Sequence, residues 1–376
     1  MSTGKVSATC VSTARFGVDP ERVALHVGDA VTVLGALTER PDLVYADPPF
    51  ATGRRFDLSV DVELDGERTR IQRAAFDDRL ADLDAFTAFI DGFVVAAREA
   101  VADDGSLLLH LDHRFAHRAA VCCDERFGPG DRVPGRTGPG FRNELIWTYG
   151  LGGSSRRYWP RKHDTILWYT RSAEWFFEPP MVPATSQRLR GRMKKRPDVL
   201  DVPTLNNMSR ERVGWPTQKP VELLELLVGA HTRADALVCD PFCGSGTTAV
   251  AAAGLGRRVI ASDVSADAVG FTLCRLLRAG RGAVVRGIEW RPDAPAGAPL
   301  TMASVGRITA DGYVADRTWV APARDGDGVW RGPTPTPQLA PPRPGDAWRA
   351  RTLDGRHLGA DSLQVNNVPW VAAVAG

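Results

Sequence analysis

The stretch VYADPPF (44–50) places one carboxylate and one aromatic ring on a rigid elbow after a strand-like run. Pro48 and Pro49 fix the backbone and remove two N–H donors. Asp47 and the Pro48 carbonyl can each accept a hydrogen bond from the exocyclic amine of a nucleobase, which draws the nitrogen towards tetrahedral geometry and frees its lone pair for attack on a methyl group. The elbow therefore predicts an acceptor site with Phe50 as a stacking face, although a proline-rich strand end with a solvated aspartate is an alternative.

A second motif, DPFCGSGTT (240–248), follows an apolar strand-like run and opens a predicted helix. Gly244 and Gly246 let the backbone approach a ligand, and the helix N-terminus presents free N–H groups. Asp240 ends one strand and Asp263 ends the next, where an acid can bind the two hydroxyls of a ribose. The loop lacks the third glycine of a dinucleotide motif and the lysine of a phosphate-binding loop. It therefore favours a nucleoside with a small zwitterionic tail, such as S-adenosylmethionine.

The elements that must position these motifs alternate between strands and helices, which predicts an α/β sheet. Continuous apolar runs indicate strands buried on both faces, as in a parallel sheet. The predicted elements are, in chain order, a strand and a short helix in 22–37, a strand at 43–46, a helix at 82–103, a strand at 106–111, a helix at 217–231, and a strand, loop, helix and strand in 236–263.

Positive charge is concentrated in one segment. Between Arg126 and Pro220 there are 18 Lys and Arg residues against 8 Asp and Glu residues, whereas the whole chain of 376 residues has a net charge of only +2. RLRGRMKKR (188–196) and GLGGSSRRYWPRKH (150–163) lie in this segment, which interrupts the regular α/β pattern. A basic segment in an otherwise acidic protein indicates contact with a polyanion, nucleic acid above all, although a solvated surface explains the charge equally well.

Cysteine and histidine spacing points to neither a disulfide scaffold nor a metal site. The six cysteines form no C-x-x-C pair, so we expect free thiols and an intracellular location. His110, His113 and His117 have spacings that fit a metal, but no cysteine or acid cluster completes the set, and we predict no bound metal. The first residues show no apolar region after a basic start, and the sequence has no run of about 18 apolar residues. We therefore expect neither a signal peptide nor membrane contact.

With these motifs the sequence resembles the β group of DNA amino-methyltransferases, in which the acceptor motif precedes the cofactor loop. The resemblance covers most of residues 20–280 and rests on VGD (27–29), DPPF (47–50), TQKP (217–220), DPFCGSGTT (240–248) and Asp263. It implies a Rossmann-like, seven-stranded α/β sheet in circularly permuted motif order, with S-adenosylmethionine as the cofactor.

The resemblance also implies a role for each matching residue. The methionine part of the cofactor would be held by Asp240, Phe242, Gly244, Ser245, Gly246 and Thr247. Asp263 would bind the ribose and Asp29 the adenine amine, and the carboxylate end would be bordered by Thr217, Lys219 and Pro220. The acceptor site would consist of Asp47, Pro48, Pro49 and Phe50, where phenylalanine replaces the commoner tyrosine and loses its hydroxyl contact.

In the same family, the segment between the two motifs recognises the DNA target. Double-stranded DNA is therefore the expected partner, and phosphates would be neutralised by Arg156, Arg157, Arg161, Lys162, Arg190, Arg192, Lys194 and Lys195, with a minority reading base edges. Tyr158 and Trp159 could wedge or stack, although core packing is the commoner role of such aromatic residues.

Four regions are predicted. Residues 1–123 would form the acceptor half of the catalytic domain, 124–215 a target-recognition insertion with parts pairing back to the sheet, and 216–285 the cofactor half. Residues 286–376 would form a proline-rich linker and a small β-rich appendage, because TADGYV and LDGRHL place Asp-Gly between strand-like flanks.

The predicted activity is methylation of adenine N6 in duplex DNA with base flipping. Cytosine-N4 methylation uses the same chemistry, but members of that type usually begin the acceptor motif with serine. Cytosine-C5 methylation is excluded, since the chain has no Pro-Cys dipeptide. A catalytically silent DNA-binding regulator and an RNA or small-molecule methyltransferase are further alternatives. The expected location is the cytoplasm, with nucleoid association, and the resemblance leaves open a homodimer and a cognate restriction enzyme.

Overall fold

The computed structural model describes residues 22–64, 67–79, 82–135, 137–150, 154–206, 209, 211–213 and 215–265, with short pieces beyond. The five helices within them are α1 (Ala30–Gly35), α2 (Leu83–Ala100), α3 (Ala116–Phe127), α4 (Val221–His231) and α5 (Thr247–Gly254). Short 3-10 turns occur at Gly130–Arg132 and Gln187–Leu189. None of the helices described has the length and hydropathy of a membrane span.

The main sheet has nine strands, β1 (Val23–Val27), β2 (Leu43–Ala46), β5 (Ser106–Asp112), β6 (Gly140–Thr148), β7 (His163–Thr170), β10 (Val199–Asp201), β11 (Leu237–Asp240), β12 (Arg258–Asp263) and β13 (Val284–Val285). Their order across the sheet is β10-β6-β7-β5-β2-β11-β12-β1-β13. Only β7 runs antiparallel to the other strands in this sheet. The predicted seven-stranded α/β sheet is confirmed as the central seven strands, and the short β10 and β13 extend it by one strand at each edge.

Both faces of the sheet are covered, which explains the continuous apolar runs of its strands. All residues of β2 and β5 are buried. Val44 and Ala46 pack in a core with residues of α2 and α3, whereas Leu43 and Tyr45 pack in a second core with residues of α4 and α5. The cofactor loop and the elbow therefore lie at one edge of the sheet, where the carboxyl ends of neighbouring parallel strands meet.

Helix α2 shows how local sequence produces these elements. Its N-cap is Asp82, whose carboxylate accepts a hydrogen bond from the Ala85 N–H at 2.8 Å. Phe86, Ile90 and Phe93 are fully buried, as their helical spacing predicts. Leu83 was expected on the same stripe but is 42% exposed, because it occupies the first turn at the helix end.

Strands β6, β7 and β10 belong to the basic segment, yet they pair with the main sheet. Two small antiparallel pairs lie outside it, β3 (Arg54–Leu64) with β4 (Glu67–Asp78) and β8 (Met181–Pro183) with β9 (Met193–Lys195). Beyond residue 286 the described pieces are antiparallel strands, β14 (Arg307–Thr309) with β15 (Gly312–Val314), β16 (Ala323–Arg324) with β17 (Trp330–Arg331), and β18 (Trp348–Arg351) with β19 (His357–Leu358) and β20 (Val374–Ala375). The strands flanking both Asp-Gly turns form the expected hairpins, while the four-region division itself stays a prediction.

Candidate acceptor and cofactor site

The acceptor elbow begins where β2 ends. Asp47 follows Ala46, and its two carboxylate oxygens differ in their surroundings. Oδ2 accepts a hydrogen bond from the Lys219 ammonium group at 2.5 Å. Oδ1 is buried and has no hydrogen-bond partner among the described residues. A buried carboxylate oxygen left without a donor is costly unless a ligand supplies one, so Oδ1 is available to an incoming amine.

Lys219 joins the TQKP motif to the elbow. Its ammonium group lies 5.1 Å from the centre of the Phe50 ring as well as against Asp47. The resemblance assigns Lys219 to the carboxylate end of the cofactor, but the structure places its charge against the acceptor carboxylate. Lys219 therefore connects the two halves of the site.

The far end of the elbow is anchored by Asp78, at the end of β4. The two carboxylate oxygens of Asp78 accept hydrogen bonds from the N–H groups of Ala51 and Thr52, at 2.8 and 3.0 Å. Ala51 has φ +50°, in the left-handed region that a residue with a side chain seldom adopts. Asp78 is almost fully buried. This residue was missed by the sequence reasoning, because its role depends on the fold of a hairpin rather than on a motif.

The cofactor loop is closed onto Asp263 at the end of β12. Asp263 accepts hydrogen bonds from the N–H groups of Gly244 and Ser265, at 3.0 and 2.8 Å. Gly246 has φ +79°, and a Cβ atom there would lie 2.5 Å from the Thr272 hydroxyl, so only glycine fits. Asp240 accepts a hydrogen bond from the Phe242 N–H at 3.0 Å. The loop is thus held in one conformation by acids at the ends of two adjacent strands.

Burial shifts the protonation of these acids. Burial raises the pKa of Asp240 to about 7, despite hydrogen bonds from Thr248 and Phe242 that favour the charged form. Burial likewise raises the pKa of Asp263 to about 6. Both residues line one cavity, where a ligand offering hydroxyl or ammonium donors would stabilise their charged forms.

The remaining predicted residues of the cofactor site lie around the same loop. Asp29 caps α1 by accepting a hydrogen bond from the Thr32 N–H at 2.9 Å. The Thr247 hydroxyl donates to the Lys219 carbonyl at 3.1 Å, and the hydroxyls of Ser245 and Thr247 lie 3.0 Å apart. The contact between Thr247 and Lys219 ties the loop to the TQKP motif.

A single cavity of about 340 Å³ joins the elbow and the loop. Every predicted acceptor and cofactor residue lines it except Pro220 and Gly246, which are buried. The lining residues from the predicted set are Asp29, Asp47, Pro48, Pro49, Phe50, Thr217, Lys219, Asp240, Phe242, Gly244, Ser245, Thr247 and Asp263. The two motifs, which are separated by about half of the chain, therefore form one site.

Among the aromatic side chains on the cavity wall, three form a stack that was not anticipated. Phe56 and Phe76 of the β3–β4 hairpin stack at 4.8 Å between ring centres, and Phe76 stacks on Trp215 at 6.2 Å. Asp-Gly at 65–66, between strand-like flanks, was a usable hairpin signal. No sequence signal places that hairpin beside the TQKP segment.

Behind Phe50 lies a buried polar chain. The Tyr45 hydroxyl is 2.8 Å from Nδ1 of His110, and Nε2 of His110 is 3.3 Å from an Asp164 carboxylate oxygen. The other Asp164 oxygen accepts from the Tyr149 hydroxyl at 3.1 Å. His110 thus has a structural partner on each ring nitrogen, and the described residues contain no cluster of three or more metal-ligating side chains.

The basic residues predicted to contact DNA fall into two groups. Arg156, Arg157 and Arg161 are exposed on the loop between β6 and β7, and Lys162 there donates to the Gly150 carbonyl at 3.4 Å. The second group is exposed in and around the β8–β9 pair and comprises Arg190, Arg192, Lys194 and Lys195.

Comparison with known proteins identifies relatives over most of the chain. The family model described as DNA methylase (N6_N4_Mtase) matches residues 41–271. The type II methyltransferase M.ScaI of Streptomyces caespitosus is 29% identical over 271 residues, covering 68% of this chain and 81% of that protein. The DNA adenine methyltransferase YhdJ of Escherichia coli K12 is 23% identical over 280 residues, covering 70% of this chain and 84% of that protein.

Among solved structures, the cytosine-N4-specific PvuII DNA methyltransferase matches with a TM-score of 0.49 and 16% identity, covering 69% of this chain and 89% of that one. The M1.HpyAVI–SAM complex matches with a TM-score of 0.46 and 18% identity, covering 67% and 98%. The family model itself covers more than half of the sequence, including both motifs and the segment between them. This chain therefore belongs to the family of N6/N4 DNA methylases, as a member of the β group.

Proposed function

We propose that this protein transfers a methyl group from S-adenosylmethionine to N6 of adenine in duplex DNA, after the base has left the helix. The observation that carries the proposal is the buried Oδ1 of Asp47, which has no partner among the described residues and belongs to a residue that shares one cavity with the cofactor loop and Asp263. In this site the base stacks on Phe50, and its amine donates to Asp47 Oδ1 and to the Pro48 carbonyl.

The residues present fit the proposed cofactor. Close approach of the loop backbone is possible because Gly244 and Gly246 both have positive φ. Asp263 retains acceptor capacity for ribose hydroxyls beyond its two backbone hydrogen bonds, and Asp240 offers a buried carboxyl group towards the zwitterionic tail. When bound, S-adenosylmethionine supplies an electrophilic methyl group, and the roles of the other cofactor residues are those implied by the resemblance.

Adenine is favoured over cytosine by the acid at the head of the acceptor motif, since cytosine-N4 members usually have serine there. A serine at this position would present a hydroxyl group, which carries a proton. Asp47 pairs with Lys219 through Oδ2, so its other carboxylate oxygen remains a hydrogen-bond acceptor. The relative YhdJ is named a DNA adenine methyltransferase, which supports the same choice.

The test is mass spectrometry of nucleosides from DNA incubated with the purified protein and methyl-labelled cofactor, followed by methylation-aware long-read sequencing. We expect N6-methyldeoxyadenosine at one short sequence. N4-methyldeoxycytidine would instead establish the cytosine alternative, and label appearing only in RNA would contradict DNA as the substrate.

Asp47→Ala tests the mechanism directly. We expect methyl transfer to be lost, because one of two amine acceptors disappears, while cofactor binding measured by calorimetry stays within about threefold of wild type. A variant that transfers methyl groups at a near wild-type rate would contradict the acceptor role. Asp263→Ala is the matched control, and we expect it to weaken cofactor binding.

The broader setting of the enzyme is proposed on the same basis. Segment 124–215 would recognise the target through the two basic groups, in a protein that acts in the cytoplasm at the nucleoid. M.ScaI is named a type II methyltransferase, which supports a cognate restriction enzyme as a partner, and cleavage of unmodified but not modified DNA at the same sequence would test this. A homodimer, suggested by the family alone, is tested by sedimentation.

A further inference from the structure

We propose that Trp159 is a wedge that enters duplex DNA and occupies the gap left by the flipped base. The inference rests on the proposed function in one respect, which is that a base leaves the duplex. It adds a residue and a task that neither motif implies.

The exposure of Trp159 is the first observation. Its side chain is 92% exposed, more than any other large apolar side chain in the part of the chain that the structure describes. An indole usually contributes a large apolar surface to a core or an interface. A ring held almost entirely in solvent therefore points to a partner with an apolar, flat surface.

The charge around Trp159 identifies the chemistry of that partner. Arg156, Arg157 and Arg161 are exposed beside it, and none of them forms an ion pair with a carboxylate of the described residues. The Arg161 guanidinium instead lies 4.6 Å from the centre of the Tyr158 ring. Cations next to aromatic rings match a ligand with phosphates and stacked bases, namely nucleic acid.

The topology places this loop at the edge of the sheet where the acceptor site lies. Strand β6 is parallel to β2, so the loop after Thr148 leaves from the carboxyl edge that also carries Asp47. The loop is closed at its base by a hydrogen bond from the Tyr149 N–H to the Lys162 carbonyl at 2.9 Å.

The base of the loop is also tied to the acceptor site. Asp164, one residue past the start of β7, bonds His110, and the His110 ring centre is 6.3 Å from that of Phe50. Phe50 and the loop that carries Trp159 are thus linked through a buried contact chain. A base that reaches Phe50 leaves a gap in the duplex, and an indole from the same edge can stack between the bases next to it.

Trp159→Ala tests the wedge on two synthetic duplexes that carry the site recovered by sequencing. In one the target base is paired normally, and in the other it faces a mismatch and is already weakly held. We expect the variant to methylate the matched duplex about 10- to 100-fold more slowly than wild type, because a stacking contact of the usual size is lost. On the mismatched duplex we expect a rate within about threefold of wild type, and Trp159→Phe should recover most of the matched rate.

Two control variants separate the wedge from phosphate binding and from folding. Arg157→Ala should weaken binding to both duplexes equally and reduce its salt dependence, without changing the ratio of their rates. Val121→Ala removes an exposed apolar side chain of α3 and should change neither rate. Cofactor binding by calorimetry verifies that each variant is folded.

If Trp159→Ala loses the same amount of activity on both duplexes, or loses none on either, the wedge is overturned. If the variant binds the duplex as tightly as wild type but no longer binds a protein, the Trp159 ring contacts a protein partner and the wedge is likewise overturned. Failure of wild type to methylate the matched duplex would instead contradict the proposed function. In that case no target position is known, and quenching of tryptophan fluorescence by an unselected duplex tests the wedge instead. The duplex should quench wild type more than Trp159→Ala, because the stacked indole is lost, and equal quenching would overturn the wedge.

Discussion

At the scale of single residues, the two carboxylate oxygens of Asp47 have different roles. Asp47 lines the cavity, and its Oδ2 is held by Lys219, whereas its Oδ1 is buried and has no donor among the described residues. Because both side chains are largely buried, the pair is shielded from solvent and fixes the direction of the free oxygen. Orientation of this kind matters, since small displacements of a catalytic group reduce rates steeply.

Lys219→Met should lower the rate constant for methyl transfer about 100-fold, because the carboxylate loses the partner that orients it. Presteady-state transfer from preformed complexes measures that rate, and the Kd for the cofactor is measured separately. Lys219→Arg keeps the charge and should retain more of the rate. If Lys219→Met changes only the cofactor Kd, the lysine belongs to the cofactor site alone.

Asp240 gives a pH-dependent stability to the protein without ligand. Burial raises its folded pKa to about 7, above the value near 4 of an unfolded aspartate. The folded state then binds more protons than the unfolded state between these values, so the contribution of Asp240 is fully present below pH 4 and is lost as pH rises through 7. It amounts to on the order of 4 kcal/mol.

Urea unfolding between pH 4.5 and 7.5 measures this contribution. The wild-type free energy of unfolding should carry a component that decreases with rising pH, and Asp240→Asn, which cannot ionise, should lack it. Identical pH slopes for the two proteins would show that Asp240 ionises as in the unfolded chain.

At the scale of elements, the β3–β4 hairpin supports the acceptor elbow from outside the main sheet. At the open end of the hairpin, Asp78 accepts hydrogen bonds from the N–H groups of Ala51 and Thr52. Phe56 and Phe76 of the same hairpin line the cavity. A loop with a left-handed residue needs such support, because the backbone strain must be offset by neighbouring contacts.

Asp78→Ala should lower methyl transfer at least 10-fold and destabilise the protein by about 2 kcal/mol, since two backbone N–H groups lose their acceptors. Transfer assays and thermal unfolding measure these effects. Asp57→Ala, an exposed acid at the same hairpin, is the matched control and should change neither. Wild-type transfer by Asp78→Ala would mean that the elbow keeps its shape unaided.

On the scale of the whole molecule, basic residues outside the cavity extend the surface offered to DNA. The group formed by Arg190, Arg192, Lys194 and Lys195 is exposed on a small pair of strands outside the main sheet. Such residues neutralise phosphates and release counterions, so their effect depends on salt rather than on the target sequence.

Replacing these four residues by alanine should reduce the slope of log affinity against log salt by about 3 to 4, if each contacts one phosphate. The affinity for a labelled duplex can be measured by fluorescence anisotropy between about 50 and 200 mM KCl, a range in which phosphate contacts change the affinity strongly. Arg118→Ala, an exposed change on α3, is the control. An unchanged slope would place the DNA elsewhere.

The sequence by itself determined the α/β class, the two motifs and the residue types of the site. Local spacing suffices for these features, because a buried strand, a glycine loop and a Pro-Pro elbow each restrict the backbone within a few residues. The strand pairs on either side of the two Asp-Gly dipeptides near the C-terminus were predictable for the same reason.

Only the tertiary structure decided how those residues meet. Lys219 was assigned to the cofactor but reaches Asp47, 172 positions away along the chain. Asp78 reaches the site from the β3–β4 hairpin, and Trp215 reaches it from just before the TQKP motif. His110 takes part in a buried hydrogen-bond chain. Contacts between distant segments depend on which strands pair and on which edge their ends share, and no local pattern encodes that choice.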